Sequence, residues 1–294
     1  MDIKTDIINS QNSAIVQTAD ETETSGKKRG LPGVLSVFAS FGGSYGVYKV
    51  YKKTVRDQIA QKYNNMLSEY SGFHNVFSTA GHSAFRTSGL EEKGVTLFSS
   101  VPQMEELGRS EYPLFSMNSN KKRMWNNIRE AIRGDRAFYD KKNKRIFVNA
   151  EKRAGSMFHE MGHAKNFNSL GIGRLLTIFR PAALLVPAIL AVAAIRKPKE
   201  EGEESETLLG KGLDYVKRNC VALSALAVSP MLLEEGLASL KGIKMAKGLL
   251  PKGALKDMIK MNGVSWLSYV CFLGAAVLGV HVADKVRNIT ARTD

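Results

Sequence analysis

The five residues His159-Glu160-Met161-Gly162-His163 combine types and a spacing that can do chemistry. On a helix, positions i and i+4 lie one turn apart on the same face. Two imidazoles so placed can turn toward one ion, and zinc accepts such nitrogens at about 2.0–2.1 Å. Glu160 follows the first histidine and can take a proton from water held on that ion. A metal that acidifies water and polarises a carbonyl, beside a carboxylate base, is the equipment of a peptide hydrolase. The expectation is zinc bound by His159 and His163, with Glu160 as general base. Gly162, inside the motif, predicts close approach of another element.

A third protein ligand has to come from elsewhere. His74 and His82 lie in poorly patterned sequence, and His281 sits within an apolar block. No further histidine follows at helical spacing, because His163 leads into AKNFNSLG. The better source is MLLEEGLASL, residues 231–240, with its adjacent Glu234 and Glu235. Two carboxylates where an apolar block meets a helix need a counter-charge, and a metal supplies one. An acidic first helical turn, favoured by the helix dipole, is the competing reason. Cys220 and Cys271 lie far apart in apolar blocks and read as small buried side chains.

HEMGHAKN followed at a distance by EEGLAS resembles the membrane-embedded gluzincin metallopeptidases. The layout is similar to the group that includes the bacterial heat-shock membrane protease HtpX and the CAAX prenyl protease. The resemblance covers residues 153–241. It implies His159 and His163 as ligands, Glu160 as base and Glu235 as third ligand, with Glu234 the alternate. Ala238 then stands at its family place. Ser239 stands where that family usually has Asp, and could support the ligand shell with a hydroxyl in place of a charge. The implied fold is a mainly α-helical zincin-like domain with a small strand element, integrated with three to four transmembrane or membrane-inserted helices.

The elements that must position these residues follow from local patterns. A helix is expected over 151–167, carrying the motif. Phe138-Tyr139 and Ile146–Val148 read as short strands around a polar turn. Residues 121–133 read as a helix, apolar at Met124, Trp125, Ile128 and Ile132 and stopped by Gly134. Residues 72–120 show no clean period and read as short helices and loops.

The wider organisation is a polar tail over 1–30, a membrane span over 31–48 and a helical domain over 49–174 ending in the motif helix. A membrane hairpin follows over 175–233 with a polar loop at 196–212. Residues 234–263 hold the third ligand and a basic amphipathic stretch. The 20 residues 264–283 carry no fixed charge and read as a span, followed by a tail over 284–294. The hairpin returns the chain to the side it left, so that Glu235 can meet the two histidines. Arg180 interrupts the first arm of the hairpin. It reads as an interfacial residue reaching the headgroups, with a cavity-facing role as the alternative.

The chain has 42 Lys and Arg against 28 Asp and Glu, a net charge of +14, and 44% of its residues are apolar. Those values exclude a mostly disordered chain and a cysteine-rich secreted scaffold. Residues 49–174 hold 22 basic and 12 acidic side chains, whereas 196–219 are balanced. The positive-inside rule therefore predicts an integral membrane protein with its catalytic side in the cytoplasm. Lysines at 241, 244, 247, 252, 256 and 260 predict a helix lying on anionic lipid. The basic clusters have little aromatic interleaving, so nucleic acid is not an expected partner. The expected substrate is a protein or peptide near the membrane. The competing class is a catalytically inactive scaffold or structural protein that retains the zincin-like fold.

Overall fold

The computed structural model describes residues 73–112, 118–194 and 207–290, with scattered positions between 42 and 57. The tail 1–30, the expected span 31–48 apart from positions 42 and 46, and the polar residues 196–206 lie outside the described residues.

The described chain is mostly helical, with one three-stranded sheet. Its first part runs α1 (Phe73–Thr87), β1 (Thr96–Phe98), α2 (Val101–Glu111), α3 (Ser119–Arg133), β2 (Phe138–Asp140) and β3 (Arg145–Phe147). The strand order is β1-β3-β2, with β3 parallel to β1 and antiparallel to β2. β2 is therefore an edge. α3 starts where Asn118 accepts a hydrogen bond from the Lys121 amide at 2.9 Å, and it ends at Gly134 with φ +81°. The β2–β3 pair is the expected hairpin, turned by Asp140, whose carboxylate accepts from the Lys142 amide and from Asn143. β1 is a strand that the sequence does not announce. Its three residues are too few to display an alternation, and its pairing with β3 is long-range.

The motif does not lie on one helix over 151–167. A single turn, α4 (Ala150–Arg153), comes first, capped by Asn149, which accepts from the Glu151 and Lys152 amides. The chain breaks at Ala154–Gly155 and resumes as α5 (Ser156–Asn168). Met157, Phe158, Met161 and Ala164 of α5 are buried in a core with Phe77, Ile146 and Val148.

The expected arm over 175–195 is two helices, α6 (Ile172–Phe179) and α7 (Ala182–Ala194), parted at Arg180–Pro181. Among the described residues neither reaches the length of a span. Pro181 has no N–H to continue the first helix, which is why the apolar run does not fold as one rod. Leu208 does not belong to a polar loop reaching 212. It opens α8 (Leu208–Arg218), capped by the Thr207 hydroxyl.

The Cys220 block and the segment bearing Glu234 and Glu235 form one helix, α9 (Cys220–Ala246), with Pro230 inside it. Proline removes the N–H that would bond to Leu226 O. The Ser229 hydroxyl fills that role at 2.8 Å, so the helix continues. The lysine series does not form one surface helix either. It is divided by a turn at Lys247–Leu250, with Gly248 at φ +89°, and resumes in α10 (Lys252–Thr290).

α9 and α10 are long and apolar enough to cross a membrane. Only 33% and 22% of their most apolar stretches are buried. Leu226, Leu233 and Leu240, spaced by seven, form an exposed stripe along α9. Inside, Ala183 of α7, Val228 and Met231 of α9 and Leu273 of α10 form a shared core.

Candidate metal centre

Close contact between α5 and α9 creates the site. A side chain at Gly162 would collide with the carbonyl of Ala238, and one at Gly242 would collide with the carbonyl of Phe158. Two glycines, one on each helix, thus let the backbones approach as no bulkier pair could. This contact answers the expectation for Gly162, and it brings residues 159–163 against residues 234–239.

The structure places His159 Nε2 3.0 Å from His163 Nε2. Glu235 Oε2 lies 3.3 Å from the first nitrogen and 3.5 Å from the second. A tetrahedral ion with bonds of about 2.0–2.1 Å needs ligand atoms roughly 3.3–3.4 Å apart. The three separations bracket that edge, so the cluster could hold a metal ion. Glu235 Oε2 is also a buried oxygen that accepts no hydrogen bond. Such an oxygen is costly unless a cation or proton faces it.

The far side of each ring is occupied. His163 Nδ1 faces Glu234 Oε1 at 2.8 Å, and His159 Nδ1 faces Ser239 Oγ at 3.1 Å. An Nδ1–H donated to each partner leaves both Nε2 lone pairs pointing into the gap. Glu234 therefore stands behind the ligand shell, and Glu235 stands in it. Ser239, at the position where Asp was the family expectation, contacts His159 with its hydroxyl.

Three further groups complete the arrangement. Arg180 donates through Nη1 to Glu234 Oε2 at 2.8 Å and through Nη2 to Glu235 Oε1. This corrects the interfacial reading of Arg180. Asn166, fully buried, donates to Glu234 Oε1 at 3.0 Å and to the Glu234 carbonyl at 3.3 Å. Its placement three residues after His163 on the same helix was the available signal. Tyr269 arrives from α10, and no local pattern distinguishes it among nine tyrosines.

His159, His163, Glu234, Glu235, Arg180 and Tyr269 line a cavity of about 500 Å3. Buried Glu160 is on its wall beside the three convergent side chains. Residues 136–141, around edge strand β2, form the opposite side with α3. Burial alone would lower the pKa of His163. Hydrogen bonding to Glu234 and the negative charge of Glu235 override that and push it up to about 10. Without an ion, a proton is what the two carboxylates draw onto that ring.

Among the described side chains, the other two histidines, His82 and His281, take no part. His82 is bound through Nδ1 to Ser78 O at 2.7 Å and through Nε2 to Ser99 Oγ at 2.9 Å. It lines a separate cavity of about 360 Å3. His281 is half-buried on α10 and does not line the metal-site cavity. The His74 side chain lies outside what is described. Compared with protein-family models, with curated proteins and with solved structures, the chain matches none.

Proposed function

We propose that this chain is a zinc-dependent endopeptidase embedded in a membrane, a zincin-like hydrolase of peptide bonds in membrane-proximal proteins. The observation that carries the reading is the convergence of His159, His163 and Glu235 Oε2 beside Glu160 on one cavity wall. The orphaned Glu235 oxygen supports it, because three ligand atoms already face a shared point. Zinc held there would supply Lewis-acid polarisation of a carbonyl and an acidified water.

The chain's own groups do the rest. Glu160 takes the proton of the attacking water and delivers it to the leaving amine nitrogen. Glu234 and Ser239 fix the two ring tautomers. The edge of β2, unpaired among the described residues, can pair with an extended substrate backbone, which favours a peptide over a compact metabolite. α9 and α10 seat the domain in the bilayer, with the basic surface toward anionic lipid and the catalytic side cytoplasmic.

The test is the zinc content of the purified full-length chain, together with hydrolysis of labelled casein. About one zinc per chain, as a three-ligand site takes, is expected in wild type and in Glu160→Gln. Hydrolysis should fall by about 10²–10⁴ in that variant. A folded, zinc-loaded wild type no faster than Glu160→Gln would favour the inactive scaffold. A wild type that binds no zinc would sink the enzyme reading.

A further inference from the structure

Three buried carboxylates, those of Glu160, Glu234 and Glu235, lie on the α5 and α9 side of the cavity, while a fourth, Asp140 on β2, is bound by the Lys142 amide and Asn143. With the histidines neutral, the charge of the three glutamates is matched by one divalent ion plus one guanidinium. Arg180 is that guanidinium, and its two arms go to different carboxylates. On Glu235 it engages Oε1, which leaves Oε2 as the oxygen turned to the imidazoles. On Glu234 it engages Oε2, while Oε1 serves His163 and Asn166. The guanidinium thus closes a ring through both glutamates that includes one ligand and the support of another.

We propose that Arg180 is a positioning residue: its fork holds Glu235 to one-oxygen ligation and, through Glu234, fixes the His163 ring. This rests on the metal-centre reading above. A carboxylate free to turn could offer both oxygens to the ion and fill the position that a catalytic zinc keeps for water. With Oε1 held by Arg180, that turn is blocked. The break between α6 and α7 is what aims the side chain, since Arg180 closes α6 immediately before Pro181. A lysine would restore the charge but not the fork, because an ammonium is a point charge and a guanidinium is planar with fixed donors.

The experiment compares wild type, Arg180→Met and Arg180→Lys, full-length in detergent, by zinc affinity and by the visible spectrum of the cobalt-substituted protein. Arg180→Met should bind zinc about 10- to 100-fold more weakly, the range for loss of an outer-shell partner. Its cobalt bands should weaken as coordination expands beyond four. Arg180→Lys should recover part of the affinity and none of the four-coordinate spectrum. Unchanged affinity and spectrum in a folded Arg180→Met would overturn the clamp while leaving the metal centre standing. X-ray absorption on zinc-loaded wild type requires no variant to fold. One carboxylate oxygen bound is expected, and a two-oxygen carboxylate overturns the proposal. A wild type that takes up no metal overturns both the clamp and the centre beneath it.

Discussion

Two histidine environments in this molecule look alike in sequence and differ in kind. His82 follows Gly81 on α1, and His163 follows Gly162 on α5. At His82 both ring nitrogens have protein partners, Ser78 O and Ser99 Oγ. At His159 and His163 the Nδ1 atoms have partners on α9, whereas the two Nε2 atoms meet each other at 3.0 Å with a carboxylate oxygen beside them. A satisfied imidazole is part of the packing. Two imidazoles that turn one nitrogen each to a shared point beside a buried carboxylate are not explained by packing. The distinction lies in the accounting of hydrogen bonds, and burial does not reveal it.

The strongest way to break the comparison is to delete each ring. His159→Ala or His163→Ala should abolish zinc binding at micromolar metal and with it all hydrolysis, as measured on purified chain. His82→Ala should keep the zinc and lose only about 1–3 kcal/mol of stability, because Ser99 Oγ, in a buried residue, loses its partner. Loss of metal in His82→Ala, with the fold intact, would erase the contrast.

The glycines offer a sharper version. A methyl group at Gly81 would strike the thioether of Met157, the far end of a flexible side chain. A methyl group at Gly162 would strike the Ala238 carbonyl, which is backbone. Overpacking costs about 1–3 kcal/mol when nothing can yield. Gly162→Ala should therefore melt several degrees lower and bind zinc more weakly, as α5 is pushed from α9. Gly81→Ala should leave zinc affinity unchanged and shift the melting temperature less. Equal effects on zinc affinity would mean that the two glycines do not differ as their neighbours suggest.

The contrast also explains what was legible beforehand. HExxH is visible because helical spacing alone puts both rings on one face. Glu235 was reachable through its register with Ala238 and Ser239, yet Glu234 stayed open. Adjacent helical residues point about 100° apart, so only the placement of α9 against α5 decides which one meets the ligands. Arg180 reads as interfacial before its cavity-facing alternative because its partners lie 54 and 55 residues away, beyond two helices. The length of α9 was hidden by Pro230 and the acidic pair, both of which look like a boundary. The Ser229 hydroxyl that mends the helix at Pro230 cannot be weighed from composition. The sheet was seen in part, since a hairpin is local and β1 is not.

Acidity gives a third contrast. In the metal-free protein His163 is raised from 6.5 to about 10 by its two glutamates. A raised group stabilises the fold fully below its unfolded value and loses that contribution as pH rises through the folded one. Metal-free protein should therefore melt progressively lower between about 6.5 and about 10. Zinc takes the place of the proton, so the loaded protein should not follow. The rise in melting temperature on adding zinc should be larger at the top of that window than at the bottom. A zinc effect that shrinks toward high pH would show that His163 does not carry the proton.

The smallest expected effect separates the two serines. Ser99 and Ser239 each meet one histidine nitrogen, at 2.9 and 3.1 Å. Removing either hydroxyl forfeits one hydrogen bond, a net of about 0.5–1.5 kcal/mol. The difference is what the histidine then does. Freed from Ser99, His82 has only its own packing to disturb. Freed from Ser239, His159 loses the acceptor that keeps its proton on Nδ1, and the ring can turn or change tautomer away from the ion. Ser239→Ala should thus bind zinc up to about tenfold more weakly, the low end for an outer-shell partner because a hydroxyl carries no charge. Ser99→Ala should bind it as wild type does. Chelator competition resolves a threefold change, so equal affinities in the two variants would assign Ser239 to packing, and His159 would then hold its orientation without it.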